Sequence, residues 1–186
     1  MTVKETIKLA AMLTGDEAVS NALDQTQTTS DKDVLARIDL LTKLCNLVVN
    51  ELSASYIPLK TTQNFNTSDG KIKYADLNEN AVKITGVYDG YGNKLAHTLY
   101  NEYLITACGV VTVEYAYTPA NKGLTDQIGY TAREMSVSVL AYGVAAEFCL
   151  TQGRFDEAVI WRKRYSSGIE GFCLPENKRI KRRGWL

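Results

Sequence analysis

YTAREMSVSVLAYGVAAEFCLTQGRFDEAVIWRKRY, residues 130–165, decides the fold. Apolar side chains at Met135, Val137, Val139, Leu140, Tyr142, Val144, Ala145, Ala146, Phe148, Cys149 and Leu150 cover more than one face of a helix. That distribution predicts a deeply buried helix from Tyr130 to about residue 151. The small residues Ala141, Gly143, Ala145 and Ala146 leave room for another backbone to come close. Gln152-Gly153 ends the run, because glycine adopts the left-handed conformation of a helix C-cap without steric penalty. A second helix follows at once, over 154–170, with Phe155, Ala158, Val159, Trp161 and Tyr165 on one face at helical spacing. Arg154, Glu157, Arg162, Lys163 and Arg164 mostly take the other face. Asp156 and Glu157 in the first turn and cations later in the helix complement its dipole. A link this short makes the two helices antiparallel neighbours, with Gly153 as the turn of the hairpin.

Beyond Pro175 the chain becomes basic. Five of the six residues 178–183 are cationic: Lys178, Arg179, Lys181, Arg182 and Arg183. Trp185 and Leu186 close the chain. A charge run of this kind is either a solvated end or an arm for an anionic partner. A terminal tryptophan favours the arm, because it can anchor in a pocket.

A length of 186 residues fits one domain, or one domain with an insertion. The formal net charge is zero but unevenly spread. From Gly153 onward there are nine Lys/Arg and four Asp/Glu, a net of +5, so residues 1–152 carry −5. Such polarity suits a protein that stacks head to tail on unlike surfaces. Cys45, Cys108, Cys149 and Cys173 show no CxxC spacing, which argues against a zinc knuckle. Cys45 and Cys149 read as small core residues, and reduced thiols in a cytosolic setting are expected. The start, Met-Thr-Val-Lys-Glu, lacks the apolar core of a signal peptide, and no run approaches the length of a membrane span.

The N-terminal third is helical in pattern. Thr2 and Glu5 form a capping box for a helix over 2–13 that Gly15 closes, with Val3, Ile7, Ala10 and Ala11 inward. A short turn of helix over 17–23 leads into a polar loop. Ser30 is the expected N-cap of the next helix, which runs to about Ala54. Val34, Leu35, Ile38, Leu41, Leu44, Cys45, Val48, Val49 and Leu52 give it a broad core stripe.

Periodicity switches at Tyr56. Strands are expected at 57–65, 71–74, 82–88, 103–106 and 110–117, with Asp69-Gly70 as a hairpin turn and the last two strands pairing across Cys108-Gly109. Residues 57–118 thus form a small antiparallel sheet or sandwich inserted between helical segments. The fold class is α+β, mainly helical. N-terminal helices and a C-terminal helical hairpin make a bundle frame that carries the β subdomain, and residues 174–186 form an extended basic tail.

His97 is the sole histidine, so a metal site of two or three histidines, or a His general base shared with a second His, has no residues to build it. Gly90-Tyr91-Gly92 lacks the following Lys-Ser/Thr of a phosphate loop. The acids Asp69, Asp76, Glu79 and Asp89 do not make a calcium-loop run. No catalytic, cofactor or metal residues are assigned, and the chain does not read as an enzyme. Eleven tyrosines against four phenylalanines fit either half-exposed strands or an interface rich in amphipathic side chains.

The run AYGVAAEFCLTQGRFDEAVIWRKRY at 141–165, followed by the Lys/Arg tail ending in Trp185, resembles the head–tail connector proteins of tailed bacteriophages, of the adaptor or head-completion type. The order of N-terminal helices, β insertion, long helix pair and tail is also similar. The likeness is sequence-like over about 139–185 and architectural elsewhere. It implies a virion protein assembled in the host cytoplasm as a homo-oligomeric ring of about twelve copies. The ring would lie beneath the portal protein and above tail or nozzle proteins, with DNA passing through its lumen. It further implies that the tail, through Lys178, Arg179, Lys181, Arg182, Arg183 and Trp185, docks on the portal, and that the family has no catalytic residues to transfer.

Two other classes compete. A nucleic-acid-binding module could use the basic tail alone, since phosphate contacts need little more than clustered Lys/Arg, but the rest of the chain is acidic. A carboxylate-based hydrolase lacks any recognisable pair of acids. Within the virion class, tail-tube and tail-terminator proteins are β-dominated, whereas long helices frame the sheet here.

Overall fold

The computed structural model describes residues 1–24, 31–131 and 134–173. Its helices are α1 (Val3–Thr14), α2 (Glu17–Asp24), α3 (Lys32–Ser55), α4 (Val137–Thr151) and α5 (Phe155–Cys173). Between α3 and α4 run β1 (Leu59–Thr67), β2 (Lys71–Lys73), β3 (Asn80–Asp89), β4 (Thr98–Leu99), β5 (Tyr103–Ile105) and β6 (Gly109–Thr118). The fold is mainly helical α+β, as the change of periodicity implies.

Local chemistry sets the helix starts. The Thr2 hydroxyl accepts the Glu5 N–H, and the Glu5 carboxylate accepts the Thr2 N–H, so two otherwise orphaned donors are satisfied. Gly15, at φ 75°, closes α1 in the left-handed region. The expected cap at Ser30 lies outside the described residues; Asp31 fills that role, its carboxylate accepting the Asp33 N–H at 2.9 Å. Val34, Leu41, Cys45, Val48, Val49 and Leu52 bury the α3 stripe, whereas Leu35 is exposed. Leu35 sits about 100° around the helix from Val34, beyond the edge of the buried face.

The first helix of the C-terminal pair starts later than expected, at Val137 rather than Tyr130. Ser136 is extended and caps α4 by accepting the Val139 N–H, which separates the helix from its lead-in. The described residues of that lead-in are tethered. The Glu134 carboxylate takes both the N–H and the hydroxyl of Thr131, and the buried Tyr130 donates its hydroxyl to the Ile57 carbonyl at 2.7 Å. The hairpin turn falls where the glycine places it. Gly153 has φ 72°, its N–H bonds the Leu150 carbonyl, and the Arg154 N–H bonds the Cys149 carbonyl. Nothing lies within 4 Å of a Cβ built there, so the constraint is conformational alone. Gly153→Val is expected to lower unfolding stability by about 1–2 kcal/mol, from the cost of positive φ in a β-branched residue. Chemical denaturation of the variant measures it, and an unchanged midpoint would rule out the strain.

The strands depart from the expected pairing. One sheet has the order β1-β6-β3 and the other β2-β5-β4, all antiparallel. Asp69-Gly70 therefore does not close a β1–β2 ladder, and β5 and β6 do not pair across Cys108-Gly109. At Asp69 the chain crosses from one sheet to the other, its carboxylate accepting the Lys71 N–H and the Thr67 hydroxyl. Gly70, at φ 72°, lies so close to Thr106 that a Cβ would sit 2.2 Å from the Thr106 carbonyl oxygen. The register follows burial: Val111, Val113 and Tyr115 alternate inward along β6 and meet Ile72 and Leu104 of the second sheet. A one-residue slip would turn Thr112 and Glu114 inward.

Two cores result. The larger joins all five helices with Leu59, Ile128 and Tyr130; the smaller fills the sandwich. Tyr117, at the end of β6, packs against both. The return loop is pinned by Asn46, whose side chain pairs with the backbone N–H and carbonyl of Lys122 at 2.8 and 2.9 Å.

Candidate interaction surfaces

The α4–α5 hairpin is held at its turn by Arg154, which bonds the Thr14 carbonyl at 3.0 Å and forks onto Glu157. Beside it Arg37 reaches both carboxylate oxygens of Asp16 at 3.0 Å, and Asp16 also accepts the Val19 N–H. These residues tie the starts of α2, α3 and α5 to one end of the frame. Two turns further, Arg162 bridges Glu51 of α3 at 2.9 Å and Glu147 of α4 at 3.0 Å, so one guanidinium links three helices. Tyr142 and Trp161 stack at 5.8 Å between centroids, and the Arg164 guanidinium lies 4.9 Å from the Trp161 ring. Gly168 meets Val139 at the start of α4. The end of α5 therefore lies beside the start of α4, away from the hairpin turn.

The inward face of α5 is Ala158, Tyr165 and Ile169, with Trp161 half-buried. Phe155 and Val159, expected on that face, point to solvent at 65% and 68% exposure, and Ile160 joins them at 54%. Geometry gives the reason. Positions 158, 165 and 169 recur at seven and four residues and so line one stripe, from which 155, 159 and 160 are rotated away. With the exposed Leu150 of α4, these side chains form an apolar surface. Two shallow clefts flank it. One of about 330 Å³ is lined by Ala146, Leu150, Val159 and Arg162, and one of about 600 Å³ by Tyr142, Ile160, Lys163 and Arg164. Ile160 was available to sequence reasoning as an apolar residue off the stripe; Leu150 was hidden in an all-apolar run.

The tail residues Lys178, Arg179, Lys181, Arg182, Arg183 and Trp185 lie outside the described residues, and only the root of the tail, at the end of α5, is placed. His97 is half-buried on the approach to β4, with Nδ1 3.4 Å from the Leu95 carbonyl oxygen. Among the described residues no group of three or more His, Cys, Asp or Glu side chains converges as a metal cage would, and no helix is long and apolar enough to cross a membrane. Burial pushes the Cys45 thiol up to about 12, and Cys149 is also buried, while Cys108 is exposed.

The β subdomain presents a polar outer face. Tyr88 donates to Glu114 at 3.1 Å, and Lys60 lies 3.5 Å from the same carboxylate. The Tyr88 hydroxyl, more than the lysine, holds the Glu114 carboxyl below its ordinary value. Tyr100 stacks on Tyr103 at 4.9 Å, and Lys71 caps the Tyr103 ring at 3.9 Å. The tyrosine excess is thus divided. Tyr115, Tyr130 and Tyr165 are buried, while Tyr91 and Tyr100 are exposed.

No family model and no curated protein matches this chain. The surfaces themselves therefore carry the functional argument.

Proposed function

We propose that this chain is a structural virion protein, a connector whose copies sit beneath the portal of a tailed bacteriophage and join the DNA-filled head to the tail. The observation that carries this reading is the apolar surface of the α4–α5 hairpin, built from Leu150 of α4 and Phe155, Val159 and Ile160 of α5 and left exposed among the described residues. A surface of this kind, rimmed by Arg162, Lys163 and Arg164, has the apolar centre and charged edge of a protein–protein interface. The β subdomain, with its polar sheet face and exposed tyrosines, suits a second contact, to tail or nozzle proteins.

The portal is the proposed partner of the tail. Thirteen residues follow Cys173, and fully extended they span up to about 43 Å, longer than the roughly 28 Å of α5. The arm is therefore long enough to pass either end of the frame. Arg179, Arg182 and Arg183 can fork onto carboxylates, and Trp185 can fill an apolar pocket. Deleting 178–186 is expected to leave a folded protein that no longer co-sediments with portal and yields heads without tails. Co-sedimentation of full-length and truncated protein at several salt concentrations tests this. Equal binding by the truncated chain would remove the tail from the docking role. Salt-dependent DNA binding by the isolated full-length chain, lost on truncation, would instead favour a nucleic-acid-binding module.

A further inference from the structure

The outward face of α5 is self-complementary. We propose that in the free protein this face is covered by α5 of a second copy, packed antiparallel about a two-fold axis that passes beside Val159 and Ile160. The proposal rests on reading the face as an assembly surface and names the molecule that first covers it.

Asp156 and Lys163 both lie on the exposed side of α5 and have no ion-pair partner among the described residues. They are seven residues apart, two helical turns, or about 10.5 Å along the axis. Val159 and Ile160 sit midway between them and flank their line on either side. Antiparallel superposition about that midpoint sets Asp156 against Lys163 of the partner copy, twice, and on either side of that line Val159 meets Val159 and Ile160 meets Ile160 across the axis. Apolar side chains then cover the centre and opposite charges close both ends, as an isologous contact requires. Parallel packing would instead place Lys163 against Lys163, a repulsive arrangement. Arg162 is already neutralised by Glu51 and Glu147, so it adds no like-charge penalty.

The size of the face sets the strength. A helix about 28 Å long and about 10 Å wide offers roughly 600 Å² over two partners. That falls below the roughly 1,200 Å² at which stable interfaces begin, so the dimer is expected to be transient and concentration-dependent.

The test is sedimentation velocity on the full-length chain from about 1 µM to 1 mM, a span of binding free energies of about −8 to −4 kcal/mol. Wild type should shift from monomer to dimer within it. Val159→Glu with Ile160→Glu should weaken the dimer by about tenfold or more, with melting unchanged because both side chains are exposed. Lys163→Glu and Asp156→Lys should each weaken it, and the double exchange should restore it, because the pair re-forms within the same symmetric contact. Wild type that stays monomeric, or a double exchange without rescue, overturns the proposal. A heterologous contact through this face would give the second result, since it does not set Asp156 against Lys163. Portal co-sedimentation run in parallel separates the two readings. A monomer that still binds portal removes the dimer alone, and a rescued dimer that ignores portal removes the connector alone.

Discussion

Tyr165→Ala is expected to lower unfolding stability by about 3–5 kcal/mol. The ring is 1% exposed and stands where α3, α4 and α5 meet, against Gly143 and Val48, with the Arg162 guanidinium 5.5 Å from its centroid. Alanine would leave a cavity between three helices that Arg162 also clamps, so the walls cannot collapse freely. Tyr165→Phe separates packing from polarity. Among the described residues the Tyr165 hydroxyl has no hydrogen-bond partner, and a buried unsatisfied group is destabilising by about 1–3 kcal/mol. The phenylalanine variant is therefore expected to match or exceed wild type. Urea midpoints for the two variants decide it, and a comparable loss in both would show that the hydroxyl is satisfied. The pH dependence has a definite sign. Burial raises the phenol above its ordinary value of 10.0, so Tyr165 contributes stability below that pH and loses it as pH rises further. Tyr165→Phe removes this residue's share of the alkaline loss.

Gly143→Val probes the same junction from the other side. A Cβ at Gly143 would lie 2.9 Å from the Tyr165 ring and 2.9 Å from Val48 Cγ1. Neither neighbour can withdraw, since one is a fully buried ring and the other a short branched side chain on α3. A valine must push the helices apart, and a loss of about 3 kcal/mol is expected from overpacking. Gly143→Ala should lose less, because alanine's helix propensity returns about 1 kcal/mol. Thermal melts of both variants check the order; a stabilised valine variant would mean that the junction is loose.

The capping box at Thr2 and Glu5, the glycine stops at Gly15 and Gly153, and the switch to strands at Tyr56 were all legible in the sequence. Each depends on a residue and its near neighbours in the chain. The bundle frame and the existence of a β insertion follow from the same short-range periodicities. Strand partners did not follow. Val110–Tyr117 alternates equally well beside any antiparallel neighbour, and the choice of β1 and β3 over β5 rests on which faces meet in the sandwich. The late start of α4 goes with the Ser136 cap and with a lead-in tied down through Tyr130, whose bond to the Ile57 carbonyl spans 73 residues. The faces of α5 were ambiguous for a different reason. Its apolar residues occupy two sides of one helix, and local pattern cannot say which side a core will take. Tertiary packing decided that, because the Tyr165 ring fits the gap left by Gly143, which turns Ala158 and Ile169 inward and leaves Phe155, Val159 and Ile160 in solvent.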